Sequence, residues 1–174
     1  ADEYGQQKLL VREIAADARR SGSFLACAIP FNHESPRRDD RFVFAKVCRA
    51  AAGVSRGHQQ KLSLGNLEAR RDWGYAPEYC AALIAMLDTA EPQELVLATG
   101  ESHSVRELAA AAFARVGIAD WEPHMESDFM LRRAGDFDLM GDASRAQQAI
   151  GWTARTRFAQ LVKLMVDSAL AVES

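Results

Sequence analysis

No glycine cluster follows any apolar stretch of this chain. Its 11 glycines include no Gly-x-Gly-x-x-Gly or Gly-x-x-Gly-x-x-Gly turn, so the backbone cradle that seats the pyrophosphate of a dinucleotide is missing from the sequence. Cysteine is scarce and odd in number. Cys27, Cys48 and Cys80 are widely spaced in apolar segments, which argues for reduced, buried thiols of a cytosolic protein and against a disulfide framework. There is no Cys-x-x-Cys pair, and His33, His58, His103 and His124 lie far apart, which speaks against a zinc site. Charge of one sign is absent too. A net charge of −3 with an isoelectric point near 5.8 gives no general attraction to nucleic acid or to an anionic membrane surface. No apolar run approaches the roughly 20 residues that span a bilayer. The start, Ala1 to Lys8, shows no charged-then-apolar leader, and a cytoplasmic location is the expectation.

What is present alternates between helix and strand. The 174 residues, 48% hydrophobic and 26% charged, suit one ordinary globular domain. Apolar positions Leu9, Ile14 and Ala18 among charged neighbours predict a helix from 4 to about 20, stopped at Ser21-Gly22. Residues 24–31 read as a buried strand and 32–41 as a polar loop. Helices are expected from Phe42 to about Val54, from Pro77 to about Leu87 and from 105 to about 116. The last has the capping-box spacing of Ser104 and Glu107. Lys61–Gly65, Arg70–Gly74 and Leu95–Ala98 read as short strands. A short helix capped by Asp142 and an amphipathic helix carrying Phe158, Leu161, Leu164, Met165 and Val166 close the chain. This alternation predicts α/β architecture.

Chemistry is concentrated in two places. Tyr4 and Lys8 are four apart and share a helix face, where an ammonium would favour the phenolate of a proton-abstracting tyrosine. The same pair is also common on ordinary helix surfaces. The second place is Asn32-His-Glu-Ser-Pro-Arg-Arg38, a dense set of recognition groups at the exit of a strand, where α/β sheets bind ligands. A solvated turn at Ser35-Pro36 is the plainer reading. Lys46, Arg49, Arg70 and Arg71 could converge on a diphosphate or be exposed cations balanced by Glu68, Asp72 and Glu78. Arg132-Arg133 reads the same way. Trp73, Trp121 and Trp152 are expected in the core, and Ser104 needs no role beyond capping.

Several segments together resemble the GDP-mannose 4,6-dehydratases, a family of extended short-chain dehydrogenase/reductases. They are Tyr4-x-x-x-Lys8, Phe31-Asn-His-Glu-Ser-Pro-Arg-Arg38, Phe42-Val43-x-x-Lys46, Leu62-x-Leu-Gly65-Asn-Leu67 and Arg71-Asp-Trp-Gly74. Ala98-Thr-Gly-Glu-Ser-His-Ser-Val-Arg-Glu107, Gly141-Asp142 and Ile150-Gly-Trp152 continue the series in order.

The resemblance implies the carboxyl-terminal half of such an enzyme: the remaining part of a Rossmann-like doubly wound sheet plus a smaller α/β substrate-binding domain, spanning 1–174, without the glycine-rich NADP-binding half. In that family GDP-mannose loses hydride from C4 to NADP, water leaves across C5 and C6, and hydride returns at C6. Carried over, Tyr4 is the base at the C4 hydroxyl, and Lys8 tunes it and holds the nicotinamide ribose. His33 and Arg38 contact NADP, while Asn32, Val43, Lys46, Gly65, Arg71 and Arg132 line the GDP-sugar pocket. A homodimer or homotetramer is implied, with no nucleic-acid or membrane partner. An isolated chain of this kind is expected to be inactive. The sequence departs from the family at Asp2-Glu3 before Tyr4, at Phe44-Ala45 before Lys46, at Tyr75, and over 132–138. A related nucleotide-sugar reductase or epimerase, a non-catalytic GDP-sugar-binding remnant, and nucleic-acid binding through Arg37, Arg38, Arg41 and Lys46 are the rival readings.

Overall fold

The first helix is built at both ends by charge. Glu3 stands in the first turn of α1 (Glu3–Arg20) and Arg19 and Arg20 in the last, each placed to complement the helix dipole. Gly22, at φ +87°, ends it: the Gly22 amide bonds Arg19 O and the Ser23 amide bonds Ala18 O, both at 3.0 Å, in the left-handed arrangement that glycine takes without strain. The protein is represented by a computed structural model that describes residues 3–58, 61–127 and 138–172.

After α1 come β1 (Cys27–Pro30), β2 (Asn32–Glu34), α2 (Val43–Ser55), β3 (Leu62–Leu64), β4 (Arg70–Arg71), β5 (Trp73–Tyr75), α3 (Ala76–Leu87) and β6 (Glu94–Leu97). Then follow β7 (His103–Ser104), α4 (Val105–Arg115), a 3₁₀ turn at Glu122–His124, β8 (Met125–Ser127), α5 (Ser144–Ile150) and α6 (Phe158–Ala171). β1 pairs with β6 in parallel, Cys27 opposite Glu94. β2 pairs with β5 in parallel, Asn32 opposite Trp73. β3 pairs with β8 in parallel, and β4 with β7 antiparallel. Parallel strands joined through helices are the α/β arrangement that the alternating pattern predicts.

Two apolar cores result. In the first, α2, α4 and α6 close on one another through Phe44, Val47, Leu108, Phe113, Leu161 and Val166, with Trp73 beneath. Ala50, Ala51, Ala109 and Ala112 are buried there, and such short side chains let helix backbones approach closely. Phe44 meets Trp73 edge-on, 5.4 Å between ring centroids, a favoured aromatic geometry. The second core lies around β1 and β6, where Tyr79 and Met86 of α3 and Ala146 of α5 cover Leu95 and Leu97.

Four expectations change. Residues 32–34, read as the start of a loop, are a strand, because β5 supplies the backbone partners. Asp142 accepts the Ser144 amide at 2.8 Å, yet the residue at the cap of α5 is Ala143, so Asp142 closes a turn just ahead of the helix. Of the three free cysteines only Cys48 is buried; Cys80 is exposed and Cys27 half-buried. Trp73 is in the core, whereas Trp121 and Trp152 pack at its margin, half-buried. Ser104 does cap α4, accepting the Glu107 amide at 3.0 Å. No helix among the described residues is long and apolar enough to cross a membrane.

Candidate functional site

β1 and β2 run on from one another through Phe31, and the pairing of β2 with β5 decides what that exit faces. It sets Asn32, His33 and Glu34 opposite Trp73, Gly74 and Tyr75, with Arg71 just upstream on β4. Asn32 is exposed and His33 half-buried. His33 Nδ1 lies 2.8 Å from Phe31 O; a carbonyl only accepts, so Nδ1 is the donor. The imidazole stacks on Tyr79, centroids 5.2 Å apart at 25°. Tyr79 is itself buried, and burial pushes its phenol pKa up, helped by Asp72 and Glu78.

The turn after β2 presents Arg38. Its amide bonds Ser35 O at 2.8 Å, the β-turn expected at Ser35-Pro36. Its guanidinium lies over the Phe42 ring, 3.4 Å from the centroid, and its Nε is 3.4 Å from Glu34 Oε2. Glu34 is only 3% exposed. Burial raises its carboxyl pKa to about 7, with Arg38 pulling the other way. Desolvation disfavours the carboxylate more than the single cation Arg38 favours it.

A second group forms where α2 meets β3. Lys46 Nζ donates to Ser63 O at 2.8 Å, which brings Lys46, and Val43 one turn earlier, to the strand that ends at Leu64-Gly65. Arg71 Nη1 donates to Arg70 O at 2.6 Å, and Arg71 bridges in parallel to Leu139. The cations are not balanced as the sequence suggests. Arg70 pairs with Glu107 at 2.8 Å and Asp138 at 3.8 Å, and Glu68 pairs with Arg106 at 2.7 Å. Asp72 and Glu78 turn inward to backbone amides.

Tyr4 and Lys8 do share a face of α1: Lys8 Nζ sits 5.2 Å from the Tyr4 ring centroid. Both are exposed, Tyr4 at 67%. α1 is fastened further along, by Arg12 and Arg19 to Glu94 at 2.7 and 3.4 Å, and Leu9, Leu10, Val11 and Ile14 face solvent. Arg132 lies outside the described residues. Among the described residues no group of three or more His, Cys, Asp or Glu stands together as a metal site.

One site element carried no sequence signal. Asp72 is wholly buried and accepts the amides of Thr99 (2.9 Å), Gly100 (2.9 Å) and Gly141 (3.2 Å). Those loops form one wall of a cleft of ≈ 310 Å³ whose other wall includes Thr153 and Arg157. An acid beside two arginines in sequence reads as a surface counter-charge; only the fold turns it toward backbone N–H groups.

Comparison with known proteins gives a family. The family described as GDP-mannose 4,6 dehydratase matches residues 2–165. The chain is 41% identical over 169 residues to GDP-mannose 4,6 dehydratase 1 of Arabidopsis thaliana, covering 96% of this chain and 46% of that protein. It is 38% identical over 183 residues to the Homo sapiens GDP-mannose 4,6 dehydratase, covering 95% and 49%. The chain thus spans about half the length of the curated relatives it matches. In fold it is similar to RMD from Pseudomonas aeruginosa, a structure complexed with NADPH (TM-score 0.85, 23% identity, 97% of this chain and 56% of that one). It is also similar to dTDP-glucose 4,6-dehydratase from Bacillus anthracis in complex with NAD (TM-score 0.82, 15% identity, 97% and 52%).

Proposed function

Because the chain belongs to the GDP-mannose 4,6-dehydratase family, we propose that it is the carboxyl-terminal half of an enzyme that removes water from GDP-mannose to give GDP-4-keto-6-deoxymannose. In this reading residues 1–174 comprise the proton-transfer helix, the last strands of the cofactor domain and the substrate-binding region. The observation that carries it is the β2–β5 pairing, which sets the Asn32–Arg38 block beside the Arg71–Gly74 block, two segments far apart in sequence and both characteristic of the family.

Each residue then has a task its chemistry suits. Tyr4 takes the proton of the C4 hydroxyl, and the Lys8 ammonium beside its ring favours the phenolate that must form. Asn32 orients the sugar with its amide. Lys46 and Arg71 face the diphosphate, the arginine with a bidentate fork and the lysine as a point charge; Val43 and Gly65 shape the wall, and Arg132 joins them. NADP, when bound, supplies the acceptor and later the donor of hydride. The residues here fit its nicotinamide end: Lys8, a histidine oriented by its Nδ1 bond to Phe31 O, and Arg38 at the tip of a turn.

Alone, the chain is inactive in this reading, because the sequence holds no glycine-rich seat for the adenosine and pyrophosphate. The exposed Leu9, Leu10, Val11 and Ile14 of α1 and Leu83, Ile84 and Leu87 of α3 are apolar surface available for association, in keeping with a homo-oligomer. Three free thiols accord with a reducing cytoplasm.

The test joins the chain to a glycine-rich amino-terminal half of the same family and supplies GDP-mannose and NADP. The expected product is a 4-keto-6-deoxy sugar nucleotide, lighter than substrate by one water. Tyr4→Phe should lower its rate by about 10²- to 10⁴-fold without unfolding the protein. An epimer of unchanged mass, or a sugar reduced only when NADPH is added and consumed, would instead mark a related nucleotide-sugar epimerase or reductase.

A further inference from the structure

Glu34 and Arg38 form an ion pair that is neither open nor locked. Glu34 Oε2 and Arg38 Nε are both shielded from solvent, and neither finds a hydrogen-bond partner among the described residues. They stand 3.4 Å apart, longer than a charge-assisted hydrogen bond. The carboxylate is 3% exposed, whereas the arginine side chain is 30% exposed and its guanidinium lies over the Phe42 ring. One partner is fixed in a strand, then, and the other is hinged on a turn with an aromatic surface to move across. From the geometry we propose that Glu34 is the positioning residue for Arg38: charged, it holds the guanidinium inward over Phe42, and on taking a proton from solvent it frees the guanidinium to reach an anion outside the turn.

The surroundings offer Glu34 no other cation to lean on. On α2, Cys48 is buried and burial keeps its thiol protonated. Arg49 donates to Arg38 O at 2.6 Å and lies 3.9 Å from Asp40, and Lys46 is committed to Ser63 O. Tyr75 is the register partner on β5, and Tyr79 of α3 stacks on the neighbouring His33. An anion that draws Arg38 outward leaves a buried charge without a partner, which is strongly unfavourable unless the carboxyl is neutralised. Anion capture and proton uptake are therefore linked, and the elevated Glu34 pKa of about 7 puts the exchange near neutrality. The ratio of held to released arginine changes tenfold per pH unit around that point. That the anion is a phosphate of the nicotinamide cofactor rests on the function proposed above; the pair itself does not.

The test is an NMR titration of the ligand-free chain, following the Glu34 carboxyl carbon and the Arg38 Nε–H together. The two signals should move with one shared midpoint near pH 7, and Glu34→Gln should leave the Arg38 signal flat across the range. A Glu34 carboxyl that titrates below about pH 5 with ordinary carboxylates, or an Arg38 signal that ignores it, overturns the proposal. Should the glutamine variant fail to fold, the wild-type pair of curves still decides. No nucleotide is present, so a protein that fails to use GDP-mannose leaves this result standing.

Discussion

Asp72 accepts the Thr99 hydroxyl at 2.7 Å with no exposure to solvent. Together with the amides of Thr99, Gly100 and Gly141, this ties the corner between β4 and β5 to the end of β6 and to the approach to α5. Asp72→Ala would take the acceptor from these donors; Thr99 and Gly100 border the cleft, where water can reach them, but the Gly141 amide is buried, and an unsatisfied buried group costs about 1–3 kcal/mol. We expect a stability loss of about 1–3 kcal/mol, read from the denaturant midpoint. Asp72→Asn, which keeps one acceptor oxygen, should lose less.

Gly74 lies under Tyr79. A Cβ at residue 74 would stand 2.3 Å from Tyr79 Cε2 and 2.4 Å from its hydroxyl oxygen. Tyr79 is 2% exposed and cannot swing away. Gly74→Ala should therefore destabilise by about 1–3 kcal/mol, as overpacking does, and should also disturb the His33 ring stacked on Tyr79. Calorimetry gives the first effect and the histidine proton shifts the second.

The pH dependence follows from Glu34. Its folded pKa, raised to about 7 from the ordinary 4.5, means the native state binds the proton more tightly than the unfolded chain does. The associated stability is fully present below the unfolded value and is lost as pH rises through about 7. A difference of this size amounts to about 3 kcal/mol. Urea midpoints should thus fall between about pH 5 and pH 8 in the wild type, and Glu34→Gln should remove most of that slope. A wild-type midpoint that rises steadily over the range would contradict the assignment.

Glu94 anchors α1. Arg12 and Arg19 both reach it, and Ala15 is the buried residue of that helix. These ion pairs hold Glu94 below the ordinary carboxylate range, the Arg12 hydrogen bond first. Glu94→Gln should speed amide exchange along α1 and leave the α2–α4–α6 core protected, since local opening needs only local contacts to break. Raising the salt concentration should do the same to the wild type, more weakly.

The long elements were legible because their apolar spacing is set by burial on one face. α1, α2, α4 and α6 all fall where the periodicity predicts, and Ser104 caps α4 as its spacing with Glu107 implies. Strands this short carry little or no period: β3 shows through the alternation of Lys61–Gly65, but β2 shows none. Asn32-His-Glu34 is polar throughout, and only its pairing with Trp73–Tyr75 makes it a strand. Site chemistry divided the same way. Tyr4 with Lys8 and the Asn32–Arg38 block announced themselves by spacing and density. The inward turn of Asp72 and Glu78, and the burial of Glu34 within that block, did not, because an inward carboxylate and a solvated one look alike until tertiary contacts turn the side chain. Lys46 was legible as a cation, but its bond to Ser63 O belongs to the packing of α2 on β3.

In the proposed enzyme, GDP-mannose sits along β2, β4, β5 and the α2–β3 junction. Residue-resolved NMR of the chain titrated with GDP-mannose would locate it. Shifts should gather at Asn32, His33, Val43, Lys46, Gly65 and Arg71, and weaken in Lys46→Ala or Arg71→Ala. Shifts confined to the cleft between Thr99 and Arg157, or none at these residues when the sugar nucleotide saturates the sample, would contradict this placement.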